Sequence, residues 1–285
     1  MKILCNLESG DGTREIMKFL MNKFPSLPFI PIKGEREFFQ HLDESADLRD
    51  EIAVMGGDGT VNMAVQKLFG TKTALGIIPT GHGNDFAKEL GLPTDPEKAL
   101  KTFVFGEKRL IDLGKINGRF FCNSVGIGFD GEMIRIRRSG SYMKTAFKNL
   151  FNYPGFQAEV EITNHKGERI TFSKKMLMIT FANGRTEGGG LVISKGKNLL
   201  TDGLLGLTLV DPMNSLNRLI AFPYFFGKGF DRPKAISHLK IRKATVKTKR
   251  VSAHVDGETY EKSIFRIESV PKAITVIGKG VDSDG

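Results

Sequence analysis

Apolar positions in the first 114 residues fall in short runs that alternate with stretches of helical spacing. Residues 3–7, 29–32, 51–55, 75–79 and 109–114 are compact runs of strand length. Between the first two, Ile16, Leu20 and Phe24 recur every four residues, the spacing of one helix face. The same pattern predicts helices over 35–42, 60–69, 84–90 and 96–104, with Thr13 capping the first helix. Strands alternating with helices imply a parallel sheet covered on both faces. After Gly114 the texture changes: 158–163, 169–181, 206–210 and 238–248 read as strands separated by turns, and helical spacing is confined to 133–151 and 216–226. The expected architecture is an α/β N-terminal domain with a parallel sheet over 1–114, followed by a β-rich, sandwich-like domain over 115–270. For a C-terminal segment, 271–285, a return to the first domain is one arrangement.

Composition narrows the class. The chain is 285 residues long, 40% hydrophobic and 26% charged, which is globular and sufficient for two cores. No window approaches the roughly 18–20 apolar residues that span a bilayer. The opening six residues are apolar too briefly for a signal peptide. Cys5 and Cys122 lie in strand-like runs and read as buried thiols of a cytosolic protein. The net charge of +10 is uneven: residues 1–114 carry 14 Lys/Arg against 17 Asp/Glu, and the remaining 171 carry 28 against 15. The second half therefore expects an anionic partner, membrane or nucleic acid. No nucleic-acid recognition motif accompanies the charge, so nucleic acid is set aside. Two acid-free basic stretches carry the membrane expectation. One holds Arg135, Arg137, Arg138, Lys144 and Lys148; the other holds Lys234, Lys240, Arg242, Lys243, Lys247, Lys249 and Arg250. Phe222, Tyr224, Phe225, Phe226 and Phe230 offer an apolar anchor.

The chemistry concentrates in two glycine-rich loops. Gly56-Gly57-Asp58-Gly59-Thr60 follows one strand run and opens a helical run. Glycines at such a turn let backbone N–H groups approach a phosphate, and the helix N-terminus adds a favourable field. Asp58 would repel a bare phosphate, which makes sense if it holds Mg²⁺ or orients a hydroxyl. The competing reading is a tight turn with Asp58 as a helix cap. A second loop, Thr80-Gly81-His82-Gly83-Asn84-Asp85-Phe86, follows the next strand and would emerge at the same sheet edge. Other signals fail. The run 126–131 matches G-x-G-x-x-G, but residues 133–158 contain no Asp or Glu for a ribose, so it reads as a close-packed turn. No G-x-x-x-x-G-K-[ST] occurs. His41, His165 and His238 lack companions at metal-ligand spacing. His254, two residues before Asp256, would share its strand face and either tune that aspartate or serve structure alone.

Gly-Gly-Asp-Gly-Thr, followed about twenty residues later by Pro-x-Gly-x-Gly-Asn-Asp-Phe-Ala, resembles the catalytic domain of the diacylglycerol kinase family, which includes sphingosine and ceramide kinases. The resemblance continues through Ile111-Asp112-Leu113-Gly114, residues 123–130, Leu200-Thr201-Asp202-Gly203-Leu204 and Val255-Asp256-Gly257-Glu258. It implies an ATP site at Gly56, Gly57, Asp58, Gly59, Thr60, Val61 and Asn62, with Gly81, His82, Gly83, Asn84 and Asp85 in the second loop. It also implies Asp58 and Asp112 in a water-mediated network around a catalytic Mg²⁺. Asp256 would be the general base, and Leu199, Asp202 and Leu204 would mark a structural Mg²⁺ loop. Two departures stand out: His82 occupies a usual Thr position, and residues 29–34 lack a Thr that relatives often have there.

The expected activity is an ATP- and Mg²⁺-dependent lipid kinase, phosphorylating a hydroxyl of a diacylglycerol-like or sphingoid lipid. It would work as a cytoplasmic enzyme, peripheral at the inner face of an anionic membrane, and a homodimer is left open. The alternatives are an NAD kinase, which shares the first glycine turn, and a catalytically silent nucleotide- or membrane-binding regulator.

Overall fold

In a computed structural model, residues 1–10, 12–46, 50–137, 152–184, 186–187, 191–192, 200–221 and 234–278 are described. They form two compact units: residues 1–113 with the segment from 271 onward, and residues 114–270. The remainder of each basic or aromatic stretch named above, including Arg138, Lys144, Lys148, Phe222–Phe226 and Phe230, lies outside the described residues.

The first unit is built on parallel strands β1 (Lys2–Asn6), β2 (Phe29–Ile32), β3 (Glu51–Gly56) and β4 (Ala74–Pro79). β1 lies between β2 and β3, β3 pairs with β4, and residues 275–276 of a late strand add to β4 in parallel. β3 and β4 are buried almost end to end, as strands covered on both faces must be. Helices α1 (Thr13–Lys23), α2 (Glu35–Ala46), α3 (Asp58–Leu68), α4 (Asp85–Glu89) and α5 (Pro96–Phe105) connect them. Ile3, Leu20, Ala53, Met55, Leu100 and Phe103 form one core. Burying each large side chain of that group contributes about 1.5–3 kcal/mol. Thr13 does not cap α1. Gly12 holds that place, and Thr13 is buried with its hydroxyl bonded elsewhere. α3 starts two residues earlier than its apolar spacing indicates, because the helix is nucleated within the glycine turn itself.

The second unit is dominated by β14 (Ile236–Val255), a 20-residue strand that serves successive partners. Its first part pairs antiparallel with β13 (Leu205–Val210), its middle with β8 (Phe156–Asn164), and its end with β7 (Ser124–Gly128). Along residues 243–255 it also pairs with β15 (Glu258–Gly278). β5 (Glu107–Ile116) ends in a hairpin with β6 (Arg119–Phe121). Helices α6 (Phe129–Arg137) and α7 (Ser215–Ala221) are short. The single strand expected over 169–181 is two, β9 (Arg169–Met176) and β10 (Met178–Ala182). They separate at Leu177, whose amide donates to the Val210 carbonyl at 2.8 Å while the flanking strands serve different neighbours. Two short strands, β11 (Thr186–Glu187) and β12 (Leu191–Val192), pair with each other. The core gathers Val125, Ile127, Val160, Phe181, Leu207 and Phe265.

Candidate active site

The two glycine loops meet in the first unit. They follow β3 and β4, neighbouring parallel strands, so both leave the sheet at its C-terminal edge. Gly57 caps α3 in an extended conformation, and a Cβ on Gly81 would come within 2.6 Å of the Gly57 Cα. Backbone therefore packs on backbone, which only glycine permits. Asn84, in a left-handed conformation with φ 50°, braces the second loop from within: its side chain accepts from the Gly81 amide at 3.1 Å and donates to the Gly81 carbonyl at 2.6 Å. Asp58 ties the loops together, its Oδ1 accepting the Phe86 amide at 3.3 Å. It thus caps, but at α4 rather than at its own helix. A third loop joins the same edge without having been singled out from the sequence. Thr13 and Thr80 share a hydroxyl hydrogen bond of 2.9 Å, Ser9 reaches Thr13 at 3.3 Å, and Asn6 Nδ2 donates to Thr60 Oγ1 at 2.9 Å. Its signal was a Ser or Thr just beyond the strand runs that carry β1 and β4. Val61 and Asn62 are buried in α3, and Gly59 is exposed.

Asp58 is electrostatically perturbed. Burial of its carboxyl, first, and the adjacent Asp85 charge raise its pKa, while the amides of Phe86, Asp85 and Asn84 act in the opposite sense. A Cβ on Gly83 would lie 2.7 Å from Asp58 Oδ2 and 3.7 Å from Asp85 Oδ2, so the two acids converge on a position kept clear of side chain. Two half-shielded carboxylates beside a phosphate-type turn fit a divalent cation that completes its shell with phosphate oxygens and water. Asp112, on β5, is buried and accepts the Lys272 amide at 2.8 Å. Among the described residues no three His, Cys, Asp or Glu side chains are grouped to hold a metal ion by themselves.

In the second unit, Asp256 sits in a two-residue turn between Val255 and Glu258, which pair across the β14–β15 hairpin. Asp256 and Gly257 have φ of 47° and 79°, the positive pair that a type I′ turn demands and that Asp-Gly accommodates best. The strand ends at Val255, so His254 and Asp256 do not share a strand face as their spacing suggested. The Asp256 carboxylate accepts three consecutive amides, from Cys122 at 2.7 Å, Asn123 at 2.8 Å and Ser124 at 2.9 Å. The Asp256 amide returns a bond to the Ser124 carbonyl at 2.9 Å. Asn183, buried, fixes that amide row in turn, donating to the carbonyls of Asn123 and Cys122 at 2.8 and 3.1 Å. These three backbone amides orient the carboxylate. Of the glycines in 126–131, Gly126 lies within β7, Gly128 ends that strand with φ 91° where the chain turns into α6, and Gly131 lies in α6; each packs closely on neighbouring chain.

Residues 5–116 match the model described as the diacylglycerol kinase catalytic domain, and residues 129–278 match the YegS C-terminal NAD kinase beta sandwich-like domain. A diacylglycerol kinase of Mycobacterium tuberculosis is 30% identical over 260 residues, covering 86% of this chain and 83% of that one. The chain belongs to the diacylglycerol kinase family of lipid kinases. A Pectobacterium atrosepticum protein named "Probable lipid kinase YegS-like" is 32% identical over 257 residues, covering 82% and 80%. The crystal structure of a Bacillus anthracis diacylglycerol kinase shares the fold, with TM-score 0.72, 22% identity, and coverage of 98% and 97%.

One of the two departures and one of the loops can now be placed. His82, which stands where the family resemblance leads one to expect Thr, is exposed in the second glycine loop. His82→Thr is expected to leave kcat equal or raised by no more than about threefold, and a large loss in a steady-state assay would give His82 a role of its own. In the loop that resembles the structural-metal site, Asp202 Oδ1 accepts the Leu204 amide at 3.0 Å and Oδ2 pairs with Lys240 at 2.7 Å. Leu199 lies outside the described residues. The basic stretch along β14 is less uniform than its sequence. Arg250 pairs with Glu261 at 3.0 Å, Lys247 stands opposite Glu159, Thr245 opposite Glu161, and Lys243 opposite Glu268. Acids from neighbouring strands interleave with the bases, which a run of Lys and Arg along one strand cannot reveal. The two cysteines are buried and form no disulfide, and burial pushes the Cys5 thiol up to about 12. Among the described residues no helix is long and apolar enough to cross a membrane.

Proposed function

We propose that this family member transfers the γ-phosphoryl group of ATP to a hydroxyl of a diacylglycerol-like or sphingoid lipid. The observation that carries the reading is the pair of cross-tied glycine loops at one sheet edge, enclosing the convergent Asp58 and Asp85. Phosphoryl transfer asks a protein mainly for positioning and neutralisation of charge. In this reading the amides of the two loops bind the phosphates, and Asp58 with Asp85 would hold Mg²⁺, with Asp112 in the surrounding network. When bound, the cation neutralises charge on the transferred group. Asp256 accepts the alcohol proton as the oxygen attacks. An ordinary carboxylate is too weak to ionise an alcohol beforehand, so this transfer is late and contributes about 10²–10⁴-fold. Incubating the purified protein with labelled ATP, Mg²⁺ and a total lipid extract is expected to label one lipid class and to leave NAD unlabelled. Labelled NADP with unlabelled lipid would overturn the reading in favour of an NAD kinase.

Contact with an anionic membrane is proposed with it, supported by the excess of Lys/Arg after residue 114 and by the exposed Leu216 and Leu219 of α7. Each base near an anionic surface contributes about 1 kcal/mol. Sedimentation with vesicles of rising anionic content is expected to show salt-sensitive binding. Changing Arg242, Lys243, Lys247 and Lys249 together to Ser should weaken it only in part, given the interleaved acids. Absence of binding at any composition would end the proposal.

A further inference from the structure

His254 is fully buried on β14, two residues from the Asp256 turn. Its Nδ1 faces the Gly257 amide at 3.4 Å, a long bond in which the ring nitrogen is the acceptor. An accepting Nδ1 carries a lone pair, so the ring proton belongs on Nε2. That nitrogen lies 3.1 Å from Asp130 Oδ2, a charge contact rather than an aligned hydrogen bond, and the same oxygen accepts the Thr180 hydroxyl at 3.3 Å. Asp130 opens α6, and Gly126 lies directly across the sheet from His254. A Cβ on Gly126 would collide with both Asp130 Oδ2 and His254 Nε2, so the glycine leaves the space in which the two side chains meet. Four elements thus converge below one turn: β7 supplies the gap, α6 the carboxylate, β10 the hydroxyl and β14 the imidazole.

We propose that Asp130 and His254 form a buried clamp that positions the Asp256 turn. The Asp130 carboxylate beside Nε2 favours the tautomer with the proton on that nitrogen, and Nδ1 then holds the Gly257 amide from inside the hairpin. The Cys122, Asn123 and Ser124 amides hold the same turn through the Asp256 carboxylate. With both sides anchored, the left-handed pair Asp256-Gly257 has one conformation rather than several. His254 and Asp130 are positioning residues, and the inference rests on the reading of Asp256 as the base. It does not require either residue to exchange a proton with substrate.

The two nitrogens can be tested separately, because Asn reproduces the Nδ1 acceptor and Gln the Nε2 donor. His254→Gln is expected to lower kcat about 10-fold or more with KM for ATP and lipid within about twofold, as misplacement of a catalytic group does. His254→Asn should recover to within about threefold of the wild type. Exchange of the Gly257 amide gives a readout independent of turnover: at least about 10-fold faster in His254→Gln and Asp130→Ala, near wild type in His254→Asn. In the wild type, imidazole ¹⁵N shifts should report a protonated Nε2 and an unprotonated Nδ1, a measurement that survives if a variant fails to fold. A protonated Nδ1, or Gly257 exchange unchanged in both His254→Gln and Asp130→Ala, overturns the clamp. Normal turnover in Asp256→Asn would instead remove the base and the catalytic half of this inference, while the exchange pattern still decides the clamp.

Discussion

Asp256→Asn is expected to lower kcat by at least about 100-fold while ATP affinity stays within a few-fold, because a base acts in the transition state rather than in nucleotide binding. The structure adds a second consequence. Both carboxylate oxygens of Asp256 accept amides, and an Asn would turn its NH₂ toward at least one of them. A donor facing the Cys122 or Asn123 amide leaves a buried N–H unsatisfied, at about 1–3 kcal/mol. The variant should therefore melt at a lower temperature as well as turn over slowly. These effects separate by temperature. A purely structural aspartate would leave kcat near normal well below the melting transition, whereas a base is missed at every temperature. Steady-state kinetics with the lipid identified by labelling, beside a thermal melt, distinguishes the two. Near-normal kcat in a fully folded variant would take Asp256 out of the chemistry.

Much of this was legible in the sequence, for reasons that show where legibility ends. The parallel strands announced themselves because β3 and β4 are buried on both faces and so are continuously apolar. The glycine turns were visible because Gly57 and Gly81 must approach backbone to backbone, a demand that leaves its mark on residue type. What stayed hidden was pairing across the sheet. Neither Thr13 with Thr80 nor His254 with Asp130 has a local signature, since their separations along the chain exceed any periodic window. The same blindness made β14 read as a basic face, although Glu159, Glu161 and Glu268 stand opposite it. Asp-Gly at 256–257 was the one readable clue to the shape of the β14–β15 hairpin: it is a strong two-residue turn signal, and recognising it separates Asp256 from the strand face of His254.

Asp58→Asn is expected to have opposite effects on stability and on activity. In the protein without nucleotide or divalent cation, the Asp58 carboxyl is desolvated and sits near Asp85, and its raised pKa records that the charged form is disfavoured in the fold. A group whose folded pKa lies above its unfolded value costs stability once pH exceeds both, and that cost vanishes as pH falls below the unfolded value. At neutral pH, Asn therefore removes a cost. It keeps an oxygen for the Phe86 amide, so the tie between the two glycine loops survives. The variant should melt at or above the wild-type temperature near pH 7, and the difference should shrink as pH falls through the range in which Asp58 takes up its proton. With ATP present the order should reverse. If Asp58 and Asp85 hold Mg²⁺ against the phosphates, the wild type gains stability and turnover as Mg²⁺ is added, and Asn loses most of both. The Mg²⁺ concentration for half-maximal activity should rise by about 10-fold or more, since neutralising one of two carboxylates weakens a hard cation's shell. An unchanged Mg²⁺ titration, together with a lower melting temperature at pH 7, would return Asp58 to the single task of capping α4.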